Sequence, residues 1–230
     1  MYIQHRSIPT APTDLIKIPT PLLLPSSSSI LDLINFTFPH IHENYQDVEY
    51  LSTRAILTTT NRNTKLINEE ILTIIPDPNH TKLLLTSTDS MGDDDDPAMY
   101  NDDILNQVEL SGLPSHKLPI QQFAVMMLMR NLDPNRGLIN GARMMVLHAT
   151  RTLVTARLIT GDFKGQEVLI PRITLSPSDG RLPFQLNRLQ FPLKLAYCMT
   201  INKVINPTNI AFTNIAFTNS LRYLQLANQS

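Results

Sequence analysis

The apolar positions along this chain change period twice, and each change marks a change of architecture. The first 25 residues hold five prolines and little periodicity, which predicts an extended arm (residues 1–25). Ser26 to Ser29 then offer N-caps for Ile30 to Phe36, with Pro39 just past the end, so a short amphipathic helix is expected. Arg54 to Thr60 is β-rich and runs into Asn61, a capping residue, followed by apolar positions at Leu66, Ile67, Ile71, Ile74 and Ile75 before Pro76. That is a strand followed by a helix. Lys82 to Thr86 supplies another strand, and the segment reads as part of an α/β layer.

From Lys117 the period shortens. Phe123 to Met129, Met144 to Ala149, Leu153 to Thr160 and Glu167 to Leu175 are short apolar runs. They are separated by turn residues at 133–137, Asn140-Gly141 and 161–165, which predicts a small antiparallel barrel or sandwich. The methionines at 126, 127, 129, 144 and 145 read as core filling. After Pro192 the spacing from Leu193 to Lys203 is helical. Thr208 to Phe212 is repeated without change as Thr213 to Phe217, either a short tandem duplication or two strands able to pair.

Composition narrows the class. No apolar run is long enough for a membrane helix and no basic-then-apolar leader opens the chain, so an intracellular soluble protein without a membrane partner is expected. The lone Cys198 permits neither an internal disulfide nor a zinc site of paired thiolates, and reads as a small buried residue. His40 and His42 form the one close histidine pair, a spacing that fits surface residues after a helix better than a metal site. Asp93 to Asp96 lack the alternating spacing of a calcium loop and read as a solvated loop. The formal charge of −1 hides a split: residues 1–112 carry 6 Lys+Arg against 16 Asp+Glu, and residues 113–230 carry 13 against 4. A nucleic-acid surface beside a non-binding one would give this pattern; so would two halves that pair, or a dispersed solvated face.

Five stretches, in order, carry a resemblance: RAILTTTNRNTKLINEEIL (54–72), SGLPSHKL (111–118), MLMRNLDPNRGLINGARM (127–144), LITGDFKGQEVLIPRITLSPSD (158–179) and LPFQLNRLQFPLKLAYCMTINK (182–203). Over roughly Lys17 to Lys203 the chain resembles, in truncated and degenerate form, the C-terminal region of the helicases encoded by Helitron transposons, relatives of the Pif and RecD helicases of superfamily one. The resemblance implies an α/β fold, a partial RecA-like motor domain with an inserted small antiparallel β-barrel of the Src-homology-three kind. Residues 26–116 would begin the second motor domain, 117–190 form the barrel, and 191–230 return to the motor. It implies a part of an ATP-dependent, 5′ to 3′ DNA helicase of repair and recombination in a nuclear setting, with single-stranded DNA as partner and ATP and Mg²⁺ as the family's cofactors.

Thr58, Thr59, Thr60 and Asn61 match the strand end where such a motor contacts the DNA backbone, although a strand ending in an N-cap accounts for the same residues without DNA. Thr200, Asn202 and Lys203 match the start of a motif that couples DNA contact to nucleotide state, but the family's Gln-Gly pair is replaced by a segment containing Pro207. At the family's final arginine stands Asn228. No G-x-x-x-x-G-K-[ST] loop occurs and all 7 glycines fall outside it, so this chain alone is expected to bind no cofactor, hold no metal and supply no catalytic residue, and would need a first motor domain. The basic candidates for the strand are Lys117, Arg130, Arg136 and Arg143, then Arg151, Arg157, Arg172 and Arg188, with Phe123, Phe163 and Phe184 for base stacking. A stand-alone single-stranded DNA module and a transposon relic are the alternatives.

Overall fold

Within the first 25 residues, where an extended arm is expected, two three-residue strands, β1 (Tyr2–Gln4) and β2 (Leu15–Lys17), pair antiparallel. The computed structural model describes residues 2–4, 15–17, 28–92, 101–110, 112–177, 182–200 and 214–217. The acidic loop at Asp93 to Asp96, Asn202, Lys203, the first pentapeptide copy and the chain end at 220–230 lie outside the described residues.

Helix α1 (Ile30–Thr37) begins where the pattern places it. Ser29 Oγ accepts from Asp32 N at 3.1 Å and Asp32 Oδ2 accepts from Ser29 N at 2.8 Å, a reciprocal capping box. Two short helices follow, α2 (Ile41–Asn44) and α3 (Val48–Ser52), each too brief to print a period on the sequence. Strand β3 (Arg54–Thr58) then buries four successive residues, Ala55 to Thr58, as a strand covered on both faces must. Helix α4 (Asn61–Ile74) is capped by Thr60 rather than by Asn61: Thr60 keeps extended dihedrals and its Oγ1 accepts from Asn63 N at 3.3 Å, so Asn61 is the first helical residue.

Strand β4 (Leu83–Thr86) departs from the expected α/β layer. It pairs antiparallel with β6 (Lys117–Ile120), after β5 (Thr88–Met91) and helix α5 (Asp102–Gln107) have intervened. Next come β7 (Val125–Leu128), β8 (Arg143–Ala149), β9 (Leu153–Leu158), β10 (Glu167–Pro171), β11 (Ile173–Leu175) and β12 (Leu186–Gln190). In place of the predicted helix after Pro192 stand two strands, β13 (Leu193–Leu195) and β14 (Cys198–Thr200), and β15 (Asn214–Phe217) follows. The 193–200 run is buried nearly throughout, and a continuous apolar run carries no period that separates helix from strand.

Pairing organises these strands into antiparallel sheets ordered β10-β9-β8-β7-β13, β11-β12-β5 and β4-β6, and a parallel sheet β14-β3-β15. Pairing therefore crosses residue 117, because β4 and β5 join strands that come after it. The second pentapeptide copy pairs parallel with β3. Met126, Met127, Met129, Met144 and Met145 are all core residues, as expected. Gly137 turns the β7–β8 connection at φ +74°, and a Cβ there would sit 2.7 Å from the Phe163 ring, so both backbone and space demand glycine. No helix among the described residues is long and apolar enough to cross a membrane.

A buried ion pair braces β5 against β12. Arg188 Nε donates to Asp89 Oδ1 at 2.9 Å and Arg188 Nη2 donates to Oδ2 at 2.6 Å, with the two side chains 0% and 1% exposed. Asp89→Ala leaves that guanidinium uncompensated and is expected to cost about 3–5 kcal/mol in denaturant melts. Burial pushes the Cys198 thiol up to about 12. At mildly alkaline pH the folded chain should therefore leave a thiol-reactive disulfide reagent unconsumed until denaturant is added.

Candidate nucleic-acid interface

A cleft of about 280 Å³ opens between the first turns of α4 and the segment from Glu109 to Pro119, with β13 and Thr200 at its base. Three sequence candidates meet there: Asn61, Lys117 and Thr200. Lys65 and Lys194 line it too, and sequence reasoning missed both. Lys65 had a signal, since it lies four residues after Asn61 and so one turn along the same helix face. Lys194 had none, because Leu193 to Lys203 was expected to be helical. The start of α4 adds the positive end of a 14-residue helix to this cation cluster. Two carboxylates share the cleft, Glu69 and Glu109, and Lys65 Nζ lies 3.1 Å from Glu109 Oε1.

The far wall is held from beneath. Besides its contacts to Asp89, Arg188 donates from Nη1 to the carbonyls of Val108 and Pro114, both at 3.0 Å, and from Nη2 to Leu105 O at 2.9 Å. Three points of the 105–114 segment are thus pinned by one guanidinium. At the entry to β6, the carbonyl of His116 accepts from Ser87 N at 2.9 Å and Gln190 Nε2 at 3.1 Å. The His116 ring Nδ1 lies 2.8 Å from Ser87 Oγ, which donates to Asp89 Oδ1 at 2.6 Å. Lys117, next in sequence, leaves this fixed backbone with an exposed side chain. Partial burial lowers the His116 pKa, with the nearby Asp89 charge acting the other way.

Several expected strand contacts require correction. Thr58 is fully buried at the end of β3 and has no surface to offer, whereas Thr59, Thr60 and Asn61 are exposed. Arg143 is fully buried: it donates from Nε to Ala196 O at 3.2 Å, from Nη2 to Arg54 O at 3.1 Å and from Nη1 to Ser52 O at 3.4 Å. It is an internal brace and not a phosphate ligand. Arg188 is buried as described, Arg157 pairs with Glu167 at 2.8 Å, and Arg172 donates to Thr86 O and lies over the Phe191 ring. Arg130, Arg136 and Arg151 do not line the cleft, although Arg130 Nη1 stands 3.8 Å from where a Cβ on Gly112, which does, would sit. Phe123, Phe163 and Phe184 pack against hydrophobic cores, which removes them as an open stacking platform. His40 and His42 are exposed, and no cluster of metal-binding side chains occurs among the described residues.

Comparison with known proteins gives one family match and several relatives. Residues 103–148 match the family described as DNA helicase Pif1, 2B domain, a span that opens at α5 and runs into β8. The chain is similar to the ATP-dependent DNA helicase PIF1 of Xenopus laevis, 29% identical over 156 residues, covering 66% of this chain and 21% of that protein. It thus spans about a fifth of the length of that curated relative. Among solved structures it is similar to the Pif1 helicase from Candida albicans (16% identity, 83% of this chain and 53% of that one, TM-score 0.49). It is also similar to Bacteroides Pif1 bound to single-stranded DNA (16% identity, 71% and 40%, TM-score 0.46).

The depressed His116 pKa has a stability consequence of definite sign. An unfolded imidazole titrates near 6.5 and the folded one below it, so between those values the unfolded chain holds more protons. Stability is complete above 6.5 and falls as pH drops through that window. Thermal melts on acidification should show a declining midpoint, and His116→Gln should flatten that part of the decline.

Proposed function

We propose that this chain, a relative of the Pif1-family DNA helicases, forms the second motor half of an ATP-dependent DNA helicase together with its inserted β-barrel, and carries part of the single-stranded DNA track. The observation behind this reading is the meeting of Asn61, Lys117 and Thr200 with Lys65 and Lys194 in one cleft. Phosphates would follow the lysines and the start of α4, while Asn61 and the exposed Thr59 and Thr60 hydroxyls would fix the backbone position without reading bases. The 230 residues contain no phosphate loop. ATP and Mg²⁺ would therefore be held by a first motor domain that supplies the phosphate cradle, and the 5′ to 3′ direction follows from the family resemblance.

A second reading has its own support. In it the chain is a stand-alone single-stranded DNA module, with Lys65, Lys117 and Lys194 of the cleft holding the strand without ATP.

Fluorescence anisotropy with a labelled oligothymidylate, across a salt series and with or without ATP, separates the possibilities. Binding should be ATP-indifferent and salt-dependent, with log affinity falling by about 0.7 per log unit of salt for each phosphate neutralised. Lys117→Ala should weaken binding equally for all sequences and flatten that slope by about 0.7. Failure of a demonstrably folded chain to bind at low salt would overturn the track assignment.

A further inference from the structure

The ion pair across the cleft joins its two walls. Lys65 belongs to α4, which packs on the parallel sheet, and Glu109 follows α5 on the wall pinned by Arg188. Their charged atoms are 3.1 Å apart although the residues are 44 apart in sequence, and the side chains are 56% and 63% exposed. Glu109 is held in place from below: the carbonyl of the preceding residue, Val108, accepts from the buried Arg188. A carboxylate is therefore presented by a rigid wall to the lysine nearest the start of α4, where a phosphate would bind.

We propose that Glu109 is a resident competitor for the strand: it occupies Lys65 in the free chain and must be displaced by a phosphate when single-stranded nucleic acid enters the cleft. This rests on the reading that the cleft takes such a strand. The chemistry favours exchange over a fixed lock. An exposed carboxylate–ammonium pair is weak because water screens it and both side chains lose freedom to make it. A phosphate brings comparable charge and would also meet Lys117 and the positive end of α4. Once displaced, Glu109 remains on the wall beside the polyanion. Its presence lowers affinity twice, by occupying Lys65 beforehand and by repelling the strand afterwards. Only the first effect needs Lys65, and that gives the pair a distinctive signature.

The test is a double-mutant cycle on the full chain, read by anisotropy with a labelled oligothymidylate at low salt, comparing the wild type, Glu109→Gln, Lys65→Gln and the double variant. Both positions are exposed, and circular dichroism melts verify that each variant is folded. Glu109→Gln is expected to tighten binding roughly two- to fivefold, with most of the gain lost in the Lys65→Gln background and at high salt. An equal gain in both backgrounds would reduce Glu109 to a simple repulsive charge and overturn the competition. So would no gain at all while the wild type binds, and in both cases the strand-track reading stands. If neither wild type nor variants bind, that reading fails and takes this one with it.

Discussion

The rest of the structure hangs on the two-residue crossover Ala196-Tyr197, where the five-stranded antiparallel sheet passes into the parallel one. Every polar group there is claimed from a different direction. Ala196 N donates to Val125 O at 3.0 Å, Ala196 O accepts from Arg143 Nε, Tyr197 N donates to Asn68 Oδ1 at 2.9 Å and Tyr197 O accepts from Ile56 N at 2.9 Å. The Tyr197 hydroxyl accepts from Val125 N at 2.9 Å and donates to Phe123 O at 3.4 Å. Burial of so many donors and acceptors is tolerable only because each has a partner, and losing one would strand another. Desolvation holds the Arg143 pKa down to about 10, still high enough to keep the guanidinium charged at neutral pH. As a result, Val125, Met127 and Met145 of the antiparallel sheet, with Ile159 just past β9, share one core with Ala55, Ile56 and Leu57 of the parallel sheet.

The cleft inherits its geometry from this crossover. Asn68 lines it while binding Tyr197 N, Cys198 N and Cys198 O, so the α4 wall is registered directly against β14. The opposite wall is registered by Arg188 and Asp89. Two buried arginines thus set the frame that holds the lysines of the cleft, and the weak Lys65–Glu109 pair joins its two walls. Strong, desolvated interactions fix position here, and weak, screened ones are left where exchange with a ligand is useful.

This division also explains which features were legible in the sequence. Helix α1, strand β3 and helix α4 each carry a cap and a period long enough to read, and the glycine and asparagine turns from 133 to 165 mark the antiparallel strands. The 193–200 segment was unreadable as strands because its partners, β7 and β3, are remote in sequence and supply all the evidence for its extended form. Arg143 and Arg188 were misassigned for a related reason. An arginine's letter gives its charge but not its burial, and the carbonyls and carboxylate that hold these two lie some 50 to 100 residues away. The resemblance located Asn61 and Thr200 and charge singled out Lys117, while only the packing revealed that Lys65, Lys194 and Glu109 share their cleft.

The charge split resolves in the same terms. The acidic and basic halves do pair in part: Arg188 with Asp89 in the interior, and Lys164 with Glu49 at the surface. These contacts consume positive charge to hold the fold together. Among the described residues of the basic half, Lys117 and Lys194 line the cleft, while exposed Arg136 and Arg151 stand apart from it on β-turns. With a formal charge of only −1, the whole chain has little net field to attract a polyanion. Attraction must then come from the local arrangement at the cleft, where three lysines and a helix start face two carboxylates. A balance that close makes a single carboxylate matter, which is why, on the proposed strand track, Glu109 rather than any one lysine is the residue through which affinity would be raised.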